Sequence, residues 1–114
     1  MIRKLVIHVF HDDESSLNTG THVAGRIRQA MDPAALSLEV YVFGPAEKAM
    51  AKDGSAMHTA ISELTKTGVR VVTCRSTAEA LGKVEAFKSM GVEVEYARDA
   101  FIRYAMEDAT VISF

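Results

Sequence analysis

Short runs of β-branched and aromatic residues alternate with stretches of helical periodicity along the whole chain, and this alternation constrains the fold more than any other feature. The apolar runs predict five strands, at 2–10, 36–43, 69–73, 92–96 and 110–114. The run at 36–43 carries bulky side chains on both faces, as expected of a strand covered by helices on two sides. The sequence therefore predicts an α/β fold with three layers, helix, sheet and helix, around a five-stranded, mainly parallel sheet.

Between the strands, apolar residues recur at helical spacing. Val23, Ile27 and Met31 recur every four residues on one face of an amphipathic helix. A further helix is expected to open at 76–79, where Ser and Glu have the spacing of a capping box, and Asp99 is expected to cap the last helix. The other helical segments are predicted at 17–31, 46–51, 55–67, 83–90 and 99–106.

Size and charge exclude several classes of protein. With 114 residues, the chain is expected to form a single domain over 1–114. Thirteen basic and fifteen acidic residues give a net charge of −2, which argues against nucleic acid as a partner because phosphate binding needs a basic surplus. No glycine-rich phosphate cradle is present, so no nucleotide or flavin cofactor is expected.

Cysteine usage points to a compartment. The chain has one cysteine, Cys74, which excludes an intrachain disulfide and a cysteine-cluster zinc site. Secreted domains of this size usually carry an even set of cysteines, so a reducing cytoplasm is the expected location. No apolar run approaches the length of about 18 residues that a membrane span needs, and no membrane association is expected.

Cys74 is also the residue with the clearest chemical potential. It follows a predicted strand and precedes a predicted helix, and ligands of parallel sheets collect at this carboxyl edge. A helix N-terminus and the adjacent cation Arg75 both favour the thiolate over the thiol. The alternative is a buried cysteine that behaves as a small apolar side chain.

Other polar residues follow the strands. His8 and His11 are three apart, so an extended strand directs them to opposite faces and no metal site is predicted; His8 is expected in the core with a satisfied ring nitrogen. His11 is a proton-exchanging residue by its ordinary pKa near 6.5. Asp12 and Arg98 are, with Arg75, the predicted substrate-binding residues, and the alternatives are a solvated loop for Asp12 and a surface ion pair for Arg98.

The sequence resembles the DsrE/DsrF-like sulfur-relay family over its whole length. The resemblance rests on the opening strand followed by His-Asp-Asp-Glu-Ser and on three further segments, at 40–45, 61–69 and 71–76. It implies a YchN-like fold, which is flavodoxin-like in its general architecture. It also implies a sulfur-accepting cysteine at this strand end, which corresponds to Cys74, and assembly into trimers or hexamers.

These features lead to two functional hypotheses. The first is a cytoplasmic sulfurtransferase or sulfur carrier, in which Cys74 accepts sulfane sulfur as a persulfide from a donor protein and passes it to an acceptor thiol. The alternative is a non-catalytic homo-oligomeric module that binds a small ligand or a partner. Self-association fits an apolar content of 48%, which is high for a small chain with expected surface aromatics. Those aromatics are Tyr41, Phe43, Phe101 and Tyr104.

Overall fold

A computed structural model describes residues 2–114 and contains every predicted strand and helix. The strands are β1 (Arg3–Val9), β2 (Leu36–Val42), β3 (Arg70–Cys74), β4 (Glu93–Glu95) and β5 (Thr110–Ser113). The helices are α1 (Glu14–Ala30), α2 (Pro45–Met50), α3 (Ala56–Lys66), α4 (Arg75–Leu81), α5 (Val84–Ser89) and α6 (Ala97–Met106). Within the described part of the chain, none of these helices is long and apolar enough to cross a membrane.

The five strands form one sheet in the order β4-β3-β2-β1-β5, and all of its pairs are parallel. The predicted three-layer α/β fold is therefore confirmed. The first three crossovers move in one direction across the sheet, and only the last one returns. Because parallel crossovers are right-handed, the returning helix α6 lies on the opposite face from the other helices. In flavodoxin the direction reverses earlier in the chain, so the strand order differs although the layers are the same.

The face of the sheet under α1–α5 has an aliphatic core. Val40 of β2 lies between Ile7 of β1 and Val71 of β3 in the strand register. Ile61 of α3 and Phe87 of α5 pack against this side, and both are fully buried or nearly so. Burial of such side chains removes apolar area from water and is the main source of stability in a domain of this size.

The opposite face is covered by α6 alone, and its core is aromatic. Tyr41 of β2 and Tyr104 of α6 pack edge to face with ring centroids 6.1 Å apart, and both are buried. The expectation that these two tyrosines lie on the surface is therefore wrong, because α6 covers Tyr41 and Tyr104 lies on the face of α6 that packs on the sheet. Phe43 is half-buried and Phe101 is 39% exposed, so the exposed aromatic surface is smaller than the sequence suggested.

A buried carboxylate holds the C-terminal half of α6 to the sheet. Glu39 of β2 is fully buried and accepts hydrogen bonds from Lys4 Nζ at 2.8 Å and Arg103 Nη2 at 2.7 Å. The hydroxyl of Tyr104 also donates to it, and Arg70 Nη1 approaches to 3.3 Å. Burial opposes the charged form, but the hydrogen bonds from Arg103, Lys4 and Tyr104 outweigh it and lower the pKa of Glu39 to about 2.

Three helix starts differ from the sequence prediction. The N-cap of α4 is Cys74 and not Ser76, and α6 begins two residues before Asp99, with Tyr96 at its N-cap. Neither helix has a side-chain cap. α1 begins earlier than the predicted 17–31 because Asp13 caps it, accepting the N–H of Ser16 at 2.9 Å. Tight connections from strand to helix at the carboxyl edge account for the uncapped starts of α4 and α6.

Candidate functional site

Cys74 is the last residue of β3 and the N-cap of α4, so strand and helix meet at this residue. Alternation along β3 directs the Cys74 side chain to the α6 face and the preceding Thr73 to the other face. Cys74 packs with Tyr41 and Ala100 and is 3% exposed. The thiol therefore lies below the carboxyl edge of the sheet, between β3 and the start of α6.

A cavity of about 660 Å³ opens beside Cys74. It lies between the N-terminal ends of α4 and α6, and its lining residues carry two aromatic rings, three hydroxyls and one guanidinium. Its lining residues are Phe43, Cys74, Ser76, Thr77, Tyr96, Ala97 and Arg98. A small molecule or an extended peptide segment carrying a thiol fits the size and the mixed polarity of such a cavity.

Tyr41 lies next to the thiol on the buried side. Its hydroxyl donates to the backbone carbonyl of Glu95 at 3.0 Å, which fixes the ring between β2 and β4. Burial raises the pKa of Tyr41 above its ordinary value, and the charge of Cys74 adds to that effect. Tyr41 is therefore a neutral hydroxyl that touches the thiol.

The two predicted arginines lie at different places around Cys74. Arg98 lines the cavity, and its Nε donates to Asp99 Oδ1 at 3.0 Å. Arg75 follows Cys74 directly, but its Nε approaches Glu79 Oε1 at 3.8 Å and its guanidinium lies 5.9 Å from the centre of the Tyr96 ring. Both side chains are largely exposed, so water screens their effect on the thiol.

The structure does not place His11 and Asp12 on the cavity of Cys74. Both are exposed in the loop between β1 and α1. The His11 ring packs on Phe10 with centroids 5.3 Å apart, and Phe10 in turn packs on Phe43 of the cavity at 5.7 Å. His11 thus approaches the site only through two aromatic rings.

His8 agrees in part with its predicted role as a satisfied core histidine. Its Nδ1 lies 3.2 Å from Ser113 Oγ, but its buried Nε2 has no hydrogen-bond partner. Burial lowers the pKa of His8, and the charge of His11 lowers it further. His8 is therefore held neutral near physiological pH by its surroundings.

Sequence reasoning missed Glu47, which lies on α2 behind Cys74. It is fully buried, and neither of its carboxylate oxygens has a hydrogen-bond partner. Burial raises the pKa of Glu47 to about 7, although the Thr73 side chain and the Cys74 backbone lie close enough to lower it in part. Glu47 and Met50 are three residues apart and share one helix face, but this spacing alone does not predict that the Glu47 side chain is buried.

Other polar clusters lie apart from Cys74. A cavity of about 850 Å³ is an open groove between α1 and α3 that includes His22, Arg26 and Glu63. Between residues 2 and 114, no group of three or more histidine, cysteine or acidic side chains could hold a metal ion.

Comparison with known proteins gives matches in structure only. No protein-family model matches the sequence. No curated protein matches it either. Three solved structures match over nearly the whole chain. The first is the conserved protein of unknown function BT1422 from Bacteroides thetaiotaomicron, with a TM-score of 0.84 and 20% identity, covering 97% of this chain and 94% of that one.

The second is MTH1491 from Methanobacterium thermoautotrophicum, also of unknown function, with a TM-score of 0.81 and 24% identity, covering 98% of this chain and 99% of that one. The third is the ychN protein from E. coli, with a TM-score of 0.70 and 16% identity over all of both chains. At these identities the comparison establishes the fold. The predicted resemblance is confirmed at that level: this chain has the YchN-like α/β fold over its full length.

Proposed function

We propose that this protein is a cytoplasmic sulfur carrier that holds sulfane sulfur on Cys74. The observation that carries the proposal is the position of Cys74 at the end of β3, on a cavity that also contains the guanidinium of Arg98. A cysteine at the carboxyl edge of a parallel sheet stands where ligands reach such folds. The positive guanidinium attracts an anionic sulfur donor into the cavity.

The transfer needs no oxidant. The Cys74 thiolate attacks the terminal sulfur of a donor persulfide, the new S–S bond forms, the donor S–S bond breaks, and the donor leaves as a thiolate. The proton of the terminal sulfur stays on it, so Cys74 carries a persulfide. An acceptor thiolate then takes that sulfur by the same step and releases the Cys74 thiolate. Because the chain has one cysteine, donor and acceptor are both other molecules.

The proposal assigns roles to the predicted residues. Arg98 binds the anionic donor at the cavity, and Arg75 adds positive charge beside the thiolate. Asp12 and His11 lie in the neighbouring loop between β1 and α1. There, His11 exchanges protons with a donor or acceptor molecule that approaches the cavity from the side of this loop. Tyr41 supplies a neutral hydroxyl beside the sulfur, and its proton is donated to the Glu95 carbonyl.

The alternative, a non-catalytic oligomeric binding module, is favoured by the 3% exposure of Cys74. Mass spectrometry after incubation with a sulfane-sulfur donor decides between the two. The carrier gains the mass of one sulfur atom, the gain is reversed by a small thiol, and the Cys74→Ser variant gains nothing. A protein that stays unmodified while folded, and reacts only in denaturant, is the module.

We further propose that the chain assembles with copies of itself as a homotrimer or homohexamer. Two consecutive elements, α6 and β5, expose large apolar side chains, and β5 is an edge strand of the sheet. The exposed residues are Phe101, Ile102, Met106, Val111 and Ile112. Sedimentation at micromolar concentration is expected to give a multiple of 12.4 kDa, and Ile102→Glu to reduce it; a wild-type monomer would disprove the assembly.

A further inference from the structure

Glu47 is a buried carboxyl group without a partner, and it lies against the backbone of the cysteine that the proposed function uses. Its side chain is fully buried, and neither oxygen has a hydrogen bond. Its nearest polar groups are the Thr73 side chain and the Cys74 backbone. Buried polar groups in proteins are nearly always hydrogen-bonded, so an exception behind the backbone of Cys74 calls for an explanation.

The turn before α2 holds Glu47 in this position. Gly44 has a φ of +62°, and a Cβ on it would meet the Phe10 ring at 2.4 Å, so the turn requires glycine. Pro45 then begins the helix, and the N–H of Ala46 donates to the Phe10 carbonyl at 2.9 Å. This fixed turn anchors the first turn of α2 and with it the buried carboxyl.

No cation compensates the charge of Glu47. The titratable side chains on the elements around it are Lys48 of α2, His58 of α3, Arg75 and Glu79 of α4, and Tyr41 and Cys74 of the sheet. Lys48 is exposed, His58 Nδ1 lies 3.2 Å from the Met50 carbonyl, and Arg75 pairs with Glu79. The charges of Glu47 and Cys74 both raise the pKa of Tyr41, after burial itself, so the two groups act on one hydroxyl.

We propose that Glu47 is a positioning residue for Cys74, whose carboxyl group acts on the thiol through the Thr73–Cys74 backbone and sets its reactivity by its own charge. The inference rests on the proposed function, because it assigns Cys74 as the reacting group. Neutral Glu47 leaves the thiolate undisturbed. Ionised Glu47 places a second negative charge on the other side of the Thr73–Cys74 backbone, in a region that excludes water, and like charges disfavour each other. After Glu47 has released its proton, Cys74 therefore reacts more slowly than it would behind a neutral side chain at the same pH.

Alkylation of Cys74 by iodoacetamide, followed from pH 5.5 to pH 9, tests the inference in the intact protein. In Glu47→Gln the rate at pH 8.5 is expected to exceed the wild-type rate by about three- to tenfold, whereas the two rates agree at pH 5.5. Glu79→Gln is the matched control, since it removes an exposed carboxylate from α4, and its ratio to wild type stays near one throughout. A Glu47→Gln ratio that is the same at every pH would show that Glu47 acts on packing alone.

A second measurement uses wild-type protein and therefore tests the inference even if Glu47→Gln does not fold. Coupling between two sites is reciprocal, so a charge on Cys74 must raise the titration midpoint of Glu47. The carboxyl ¹³C signal of Glu47 is titrated in wild-type protein alkylated with iodoacetate, which leaves a negative group, and with iodoacetamide, which leaves a neutral one. A higher midpoint in the first protein supports the inference, and equal midpoints overturn it. Neither assay uses sulfur transfer, so failure of the sulfur-carrier proposal would be seen separately.

Discussion

Glu39 and Glu47 are both fully buried, one near the middle of β2 and the other just beyond its end, and their surroundings are opposite in charge. Around Glu39, three cations and a tyrosine hydroxyl approach the carboxylate from β1, β3 and α6. Around Glu47 there is no hydrogen-bond partner for either oxygen. The pKa is lowered to about 2 at Glu39 and raised to about 7 at Glu47.

The difference separates a carboxylate that stabilises the fold from a carboxyl group that lies behind the proposed site. The Glu39 region lies under the C-terminal half of α6 and fixes the one helix that covers its face of the sheet. The Glu47 region lies at the carboxyl edge, behind Cys74, where an uncompensated carboxyl costs stability once it is charged. A cost of this kind persists at functional sites, where neighbouring structure supports it.

The largest effect on stability is expected when the charge of Glu39 is removed. Glu39→Gln leaves Lys4 and Arg103 without their buried anion, and loss of one partner of a buried ion pair costs about 3–5 kcal/mol. Because its pKa is lowered, Glu39 stabilises the protein above pH 4.5, and this contribution is lost as the pH falls towards 2. The contribution to the unfolding free energy is about 3 kcal/mol. The variant is therefore expected to be less stable at pH 7 and to show a flatter pH dependence in that window.

Urea unfolding at several pH values measures both effects. Glu93→Gln is a suitable control, because Glu93 is exposed and also pairs with Arg70. An unfolding free energy of Glu39→Gln within 1 kcal/mol of wild type at pH 7 would mean that the buried network contributes little.

At Glu47, the unfolding free energy is expected to change with pH in the opposite direction. Because its pKa is raised, the contribution of Glu47 to stability is fully present below pH 4.5 and is lost as the pH rises through about 7. The expected loss of unfolding free energy between pH 4.5 and pH 8 is about 3 kcal/mol. Glu47→Gln cannot ionise, so its unfolding free energy is expected to stay level over this range, apart from changes shared with wild type. The exposed Glu63→Gln should follow the wild-type curve. If the unfolding free energies of wild type and Glu47→Gln change in parallel with pH, Glu47 does not titrate in this range.

The fold could be predicted from the sequence because its signals are local. Strand runs and helical periods alternate without interruption, and the right-handed crossover rule turns that alternation into layers. The helix starts at Ser76 and Asp99 were wrong for a local reason as well. Capping patterns indicate where a helix could begin, but at α4 and α6 the strand leads directly into the helix.

The candidate site could be predicted only in part. The end of a β-branched run directs attention to Cys74, and Arg98 follows the next strand, so both lie on one edge. His11 has the same kind of position in the sequence, but the rings of Phe10 and Phe43 lie on its way to the cavity. Glu47 was missed because its burial depends on α3 and α4 packing around it, which no local pattern reports.

A smaller effect is expected when the hydroxyl next to Glu47 is removed. Thr73 is fully buried, and its hydroxyl donates to the Val42 carbonyl at 2.7 Å while lying close to Glu47. Thr73→Val keeps the shape and removes the hydroxyl, at a cost of about 1 kcal/mol for one buried hydrogen bond. Since the Thr73 side chain lowers the pKa of Glu47, the variant should raise it further. Carboxyl ¹³C titration would measure this, and an unchanged midpoint would mean that the Thr73 hydroxyl does not affect the pKa of Glu47.

The smallest effect is expected at the exposed margin of the Glu39 network. Arg70 is 42% exposed and approaches Glu39 Oε1 at 3.3 Å, whereas Arg103 is 23% exposed and bonds both oxygens of that carboxylate. Water screens the outer pair, so Arg70→Gln is expected to cost less than about 1 kcal/mol and to lose that effect in high salt. Arg103→Gln should cost several times more and keep its effect in salt, because its partner is buried. Equal costs for the two variants, measured by urea unfolding at low and high salt, would mean that Glu39 is compensated by the summed charge around it and that the individual contacts of α6 do not matter.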